Sequence, residues 1–159
     1  MSKAQQHRPQ LALEIAAQPE WLGMVRQFIS LISTNLGLNM EDSVQLEMSV
    51  DEACANSIEG MQSLKLPEHS CRVRIEVDID EESVSITITD QGHDFTEHFH
   101  KARPLHHETD RTRRRGYGLQ IIKTFMDDVH YEHDGNKGNR LRLIKYLPRE
   151  RVKSMMERS

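Results

Sequence analysis

The sequence predicts an α+β fold: a two-layer α/β sandwich in which a mixed, mainly antiparallel sheet carries helices on one face. Segments of period two alternate with segments of helical period in the order strand, helix, helix, strand, strand, loop, helix, strand, strand, and no regular βαβ repeat appears. Composition agrees. A 36% hydrophobic share over 159 residues and a mean hydropathy of −0.67 suit one soluble globular domain spanning residues 1–159, with its core over about 10–147. The formal charge of −4 gives no global field for a polyanion, so no direct nucleic-acid partner is expected. No apolar run reaches membrane-spanning length and residues 1–10 lack the apolar stretch of a secretory signal, so a cytoplasmic protein without membrane contact is expected.

Leu11, Leu13 and Ile15 alternate with polar or small residues, the period of a half-buried strand, and Pro19 ends the pattern. From about Glu20, Leu22, Val25, Phe28, Ile29 and Ile32 recur at helical spacing, and Gly37 after Leu36 is a C-terminal stop. A second helix is expected over residues 41–62. Its apolar face is read as Val44, Met48, Val50, Ala53, Cys54, Ser57, Ile58 and Met61, with Glu41 and Asp42 at the end where the helix dipole favours them. Residues 73–79 and 84–88 alternate strictly around the acidic turn 80–82 and predict an antiparallel hairpin.

Residues 91–115 show no sustained period and are rich in His, Arg and Thr; a loop of that length is unusual in a compact domain, and a lid over about 93–115 is expected. Gly116-Tyr117-Gly118 then opens a helix with Leu119, Ile122, Phe125 and Met126 on one face. Two closing strands, 130–133 and 141–147, flank a turn over residues 134–138, and the tail 149–159 is charged. Cys54 and Cys71 are read as free packing thiols, since no Cys-x-x-Cys is present.

Three short patterns carry chemistry. Glu52 and Asn56, four apart on the second helix, set a carboxylate beside a carboxamide and could hold a metal–nucleotide complex, although the same pair also suits plain helix surface. Asp90-Gln91-Gly92 ends a strand, where a carboxylate can accept from an adenine amine and Gly92 permits close approach; an ordinary Asp-x-Gly turn is the alternative. Arg114, Arg115, Gly116 and Gly118 precede a helix, and glycine clearance, free amides and positive charge together suit a phosphate, though a flexible helix start would read the same.

In their order, Glu52-x-x-x-Asn56, Asp90-x-Gly92, Gly116-x-Gly118 before a helix and Gly138 between the last strands, these patterns resemble the GHKL ATPase superfamily, whose fold is the Bergerat sandwich. The resemblance covers roughly residues 10–147 and is strongest to the anti-sigma factor serine-protein kinases of bacterial partner-switching systems, on the run 118–129, Asn136-Lys137-Gly138 and Lys145-Tyr146-Leu147. It implies ATP and Mg2+ as cofactors, Asn56 as the Mg2+ ligand, Glu52 as catalytic base and Asp90 as the adenine reader. It also implies Gly92, Arg114, Arg115, Gly116, Gly118, Leu119 and Asn139 around the nucleotide, and three partners: an anti-sigma factor antagonist as substrate, a sigma factor, and a second copy of the chain. Phosphoryl transfer asks for such positioning groups more than for covalent help.

Three positions depart from that pattern. Gly60 stands where these kinases often carry a His, Asp94 replaces a frequent second glycine, and Asn139 replaces a common Thr. They keep an alternative open, a nucleotide-binding module that sequesters a partner without kinase activity. His93, His98, His100, His106 and His107 invite a metal site, but no Cys or acidic set at convincing spacing accompanies them, and a solvated, pH-sensitive lid is the simpler expectation.

Overall fold

The computed structural model of the chain describes residues 10–64, 67, 70–104 and 117–148. Strand β1 (Leu11–Ala16) leads through a 3-10 turn into α1 (Leu22–Asn35) and α2 (Met40–Ser63). The hairpin β2 (Arg72–Ile79) and β3 (Ser83–Asp90) follows, then α3 (Thr96–Lys101), α4 (Gly118–Phe125), β4 (Asp128–Asp134) and β5 (Gly138–Tyr146). The five strands form one sheet in the order β1-β2-β3-β5-β4. Every pairing in it is antiparallel, which sharpens the expected mixed sheet. Among the described residues no helix is long and apolar enough to cross a membrane.

The helix ends follow from local chemistry. Gly37 takes φ +62° after α1, and the amides of Gly37 and Leu38 return to the carbonyls of Thr34 and Ser33, so otherwise orphaned acceptors are satisfied. Asn39 caps α2 by accepting from the Asp42 amide at 2.8 Å while its own Nδ2 donates to the Asp42 carboxylate at 2.9 Å. The core lies between the helices and one sheet face: Val73, Ile75, Val77, Val84, Ile86, Ile88 and Leu143 meet Val25, Ile29, Leu46, Val50, Ile58 and Ile122. Each such side chain contributes roughly 1.5–3 kcal/mol on burial. The other sheet face presents Glu14, Arg74, Glu76, Arg140 and Arg142, and it carries the ion pair of Arg74 with Glu76.

Two expectations are corrected. Val44 and Met48, read as core residues of α2, are 47% and 45% exposed, and the buried stripe instead runs through Leu46, Ser49 and Val50. The first turns of α2 carry apolar residues on both sides, so periodicity alone does not choose the face; packing on the sheet does. Within the expected loop, α3 forms a single short helix, too brief to show a helical period. Asp94 Oδ1 takes the Thr96 amide at 2.8 Å at its start, and Phe99 buries beneath it. Cys54 and Cys71 are free and buried. The tail 149–159 lies outside the described residues.

Candidate nucleotide site

A cavity of about 1150 Å³ opens between α2, the end of β3, α3 and the start of α4. Glu52, Asn56, Asp90, Gly118, Leu119 and Asn139 all line it, so residues far apart in sequence meet around one space. Arg114, Arg115 and Gly116 lie outside the described residues, as do His106 and His107.

At one end, α2 presents Glu52 and Asn56 one turn apart. The Glu52 carboxyl is held above the ordinary carboxylate range, chiefly by burial and secondarily by the negative charges of Asp51 and Glu59. Among the described residues no hydrogen bond relieves it. The first residue of α4 closes on the same group: a Cβ on Gly118 would overlap the Glu52 carboxylate and lie 2.6 Å from its Cδ, so any side chain there would displace Glu52 from its present position.

At the other end Asp90 is 5% exposed, and its carboxylate is the hub of a polar network. Oδ2 accepts from the Ser57 hydroxyl at 2.6 Å, while Oδ1 accepts from the Gly92 amide at 2.7 Å and from Asn139 Nδ2 at 2.8 Å. A carboxylate offers about four acceptor positions, so one remains on Oδ2 beside the cavity. Gly92 spends its clearance on the protein itself. A Cβ there would meet Asp90 Oδ1 at 2.8 Å and the α2 backbone at Gly60 and Met61 at 3.4 Å. Gly60 has ordinary room, with the nearest atom to a Cβ 3.7 Å away on His93.

Asp90, Asn139 and His133 lie in one cross-strand row over β3, β5 and β4. Asn139 also donates to the His93 carbonyl at 2.9 Å, and its Oδ1 receives Tyr131 Oη at 2.6 Å and His133 Nδ1 at 2.8 Å. Tyr131 stacks on Phe95 with ring centroids 3.9 Å apart, and Phe95 lines the cavity. Ser57, Phe95, Tyr131 and His133 were not singled out by the sequence motifs. Strand alternation puts Tyr131 and His133 on the helix-facing side of β4, but only the pairing register brings them to Asn139.

On the α3 side, His98, Lys101 and Ala102 add to the wall, and Lys123 of α4 donates to the carbonyls of Phe99 and Ala102, tying α4 to α3. Burial lowers the Lys123 ammonium from its ordinary range, with the nearby Arg103 charge adding to the effect. Among the described residues no group of three His, Cys, Asp or Glu is placed to hold a metal ion.

The histidine kinase-like ATPase domain model matches residues 15–145. The chain belongs to that family. Curated relatives of this histidine kinase-like ATPase domain include the serine-protein kinase RsbW of Bacillus pumilus, 30% identical over 146 residues, and that of Bacillus licheniformis, 29% identical over 147; each alignment covers 89% of this chain and 88% of the relative. The RsbW of Bacillus subtilis is 27% identical over 146 residues. These relatives place the domain with the anti-sigma factor kinases of the GHKL superfamily. In fold it is similar to a chain in the crystal structure of the SiaB–SiaC complex from Pseudomonas aeruginosa, with a TM-score of 0.63 at 11% identity over 88% of this chain and 90% of that one.

Proposed function

We propose that this domain is an ATP-dependent serine/threonine protein kinase and anti-sigma factor. In this reading it phosphorylates an anti-sigma factor antagonist and sequesters a sigma factor when the antagonist is absent or already phosphorylated. The observation that carries the reading is one cavity with a base and a carboxamide, Glu52 and Asn56, at one end and an acceptor-rich hub, Asp90, at the other. The names of the RsbW relatives support it.

The residues divide the work. Asp90 takes the exocyclic amine of adenine on its remaining Oδ2 position, and a base presenting an acceptor there is refused. The amides at the start of α4, made accessible at Gly118, receive phosphate oxygens. The carboxamide oxygen of Asn56 suits magnesium, a hard cation that takes oxygen ligands, at the end of the cavity where phosphates would lie. When bound, the ion would be held by Asn56 and would neutralise phosphate charge. Glu52 accepts the proton of the protein hydroxyl as its oxygen bonds to the γ-phosphorus and the bond to ADP breaks; the lifted carboxyl pKa makes it a stronger base than an ordinary glutamate. Met24 and Leu31 on the outer face of α1, 51% and 65% exposed, offer a contact for a second copy.

Incubation with Mg-ATP and a co-encoded antagonist protein should yield stoichiometric phosphoprotein, and Glu52→Ala should abolish transfer while sparing ATP binding. Measurable ATP affinity in calorimetry with no transfer to any such antagonist would replace the kinase by the sequestering module. No nucleotide affinity at all would remove both.

A further inference from the structure

The geometry points to Tyr131 and His133 as positioning residues for base recognition: from the outer strand they fix the Asn139 amide, which in turn holds the Asp90 carboxylate in its reading position. This rests on the adenine reading of the cavity and extends it to residues that touch no nucleotide.

Asn139 is 3% exposed, and its side chain has every hydrogen-bonding position engaged. Two of its neighbours, the Asp90 carboxylate and the His93 carbonyl, are acceptors only, so the NH2 group must face them. The amide oxygen is thereby turned toward β4, where it requires donors. Tyr131 supplies its hydroxyl and His133 supplies Nδ1–H. This pins the imidazole to the tautomer protonated at Nδ1 when neutral, and the imidazolium donates from the same atom.

Reversing the amide would set its oxygen against Asp90 Oδ1 and the His93 carbonyl, two repulsions in a buried place. Without the β4 donors the Asn139 Oδ1 is left unpaired in a buried place, and the amide turns or shifts away from its present geometry to find a donor. The Asp90 carboxylate would then lose one of the three donors that aim it, and with it the geometry of the remaining Oδ2 position. Asp94 adds a competitor, because its Oδ1 lies 3.1 Å from the Tyr131 hydroxyl, which has a single proton. The contact to Asn139 is the shorter of the two, at 2.6 Å. The Phe95 amide, donating to the same oxygen at 3.0 Å, holds the phenol in place. Asp94, one of the departures from the kinase pattern, therefore acts on the base site through Tyr131.

The test uses the full chain and two ligands, ADP and the diphosphate of purine riboside, which lacks the 6-amino group. Wild-type protein should prefer ADP. Tyr131→Phe keeps the ring on Phe95 and removes only the hydroxyl; it should weaken ADP about tenfold and leave the analogue nearly unchanged, so that discrimination collapses. His133→Leu should do the same, and His133→Asn, which restores a donor at the Nδ1 position, should recover ADP binding. Parallel loss of both ligands, or unchanged discrimination in a folded Tyr131→Phe protein, overturns the positioning role while leaving the base site standing. Wild-type protein that does not distinguish the two ligands overturns the adenine reading and the proposal with it.

Discussion

Glu52 shows how one residue joins stability to chemistry. Its folded-state pKa is raised, so the folded protein binds a proton more tightly than the unfolded chain, and stability falls as pH rises from the unfolded toward the folded value. At neutral pH an ionised Glu52 carboxylate therefore costs stability, a cost that the proposed role as base would account for. Glu52→Gln should melt at a higher temperature than wild type at pH 7, with the gap closing toward pH 4, and should transfer no phosphoryl group; thermal unfolding across that range reads the first effect. In wild type the acid limb of the transfer rate should lie above that of an ordinary glutamate. Asp90 is the complementary case, a carboxylate already supplied with three donors. Asp90→Ala should cost on the order of 1.5–3 kcal/mol of ATP affinity, measured by calorimetry, because a charged acceptor is lost and its buried donors are left behind.

At the scale of elements, the turn between β4 and β5 shapes the Asp90 end of the cavity. Gly138 holds φ +83°, and a Cβ there would run into the Asp90 carbonyl. Gly138→Ala should destabilise the fold by roughly 1–3 kcal/mol in denaturant titration and shift Asn139 with it. That turn was legible in the sequence, as were both hairpins, because strict alternation broken by Asp and Gly has one economical reading. The meeting of Glu52, Asn56, Asp90 and Gly118 was legible only through the family resemblance that the motif order carries, since each short pattern alone fixes a place on a helix or strand end and no neighbour. The Tyr131 and His133 contacts were hidden, because alternation gives a face while only the pairing of His133 with Asn139 gives a neighbour. Leu46 was hidden by the apolar residues on both sides of early α2, and α3 by being under two turns long.

The whole molecule is held across its layers by a buried cation. Lys145, 6% exposed on β5, donates to Gln45 Oε1 at 2.8 Å and to the Phe125 carbonyl at 3.0 Å, and pairs with Asp42 at 3.2 Å. One ammonium thus joins the first turns of α2, the last turn of α4 and the sheet. Lys145→Met should lower unfolding stability by about 1–3 kcal/mol, the Asp42 carboxylate keeping part of its hydration. Since α4 also borders the cavity, saturating nucleotide should restore much of that loss, about 2.7 kcal/mol at a hundredfold excess over Kd, visible as a ligand-dependent melting temperature. The strand order has one more consequence. Tyr131 and His133, which hold Asn139, stand on β4, a margin of the sheet, where backbone amides open to solvent by local fraying without global unfolding. Occupancy of a pocket in the interior should therefore be legible from outside, as slowed deuterium uptake along β4 and β5 while β1, on the opposite margin, exchanges as before.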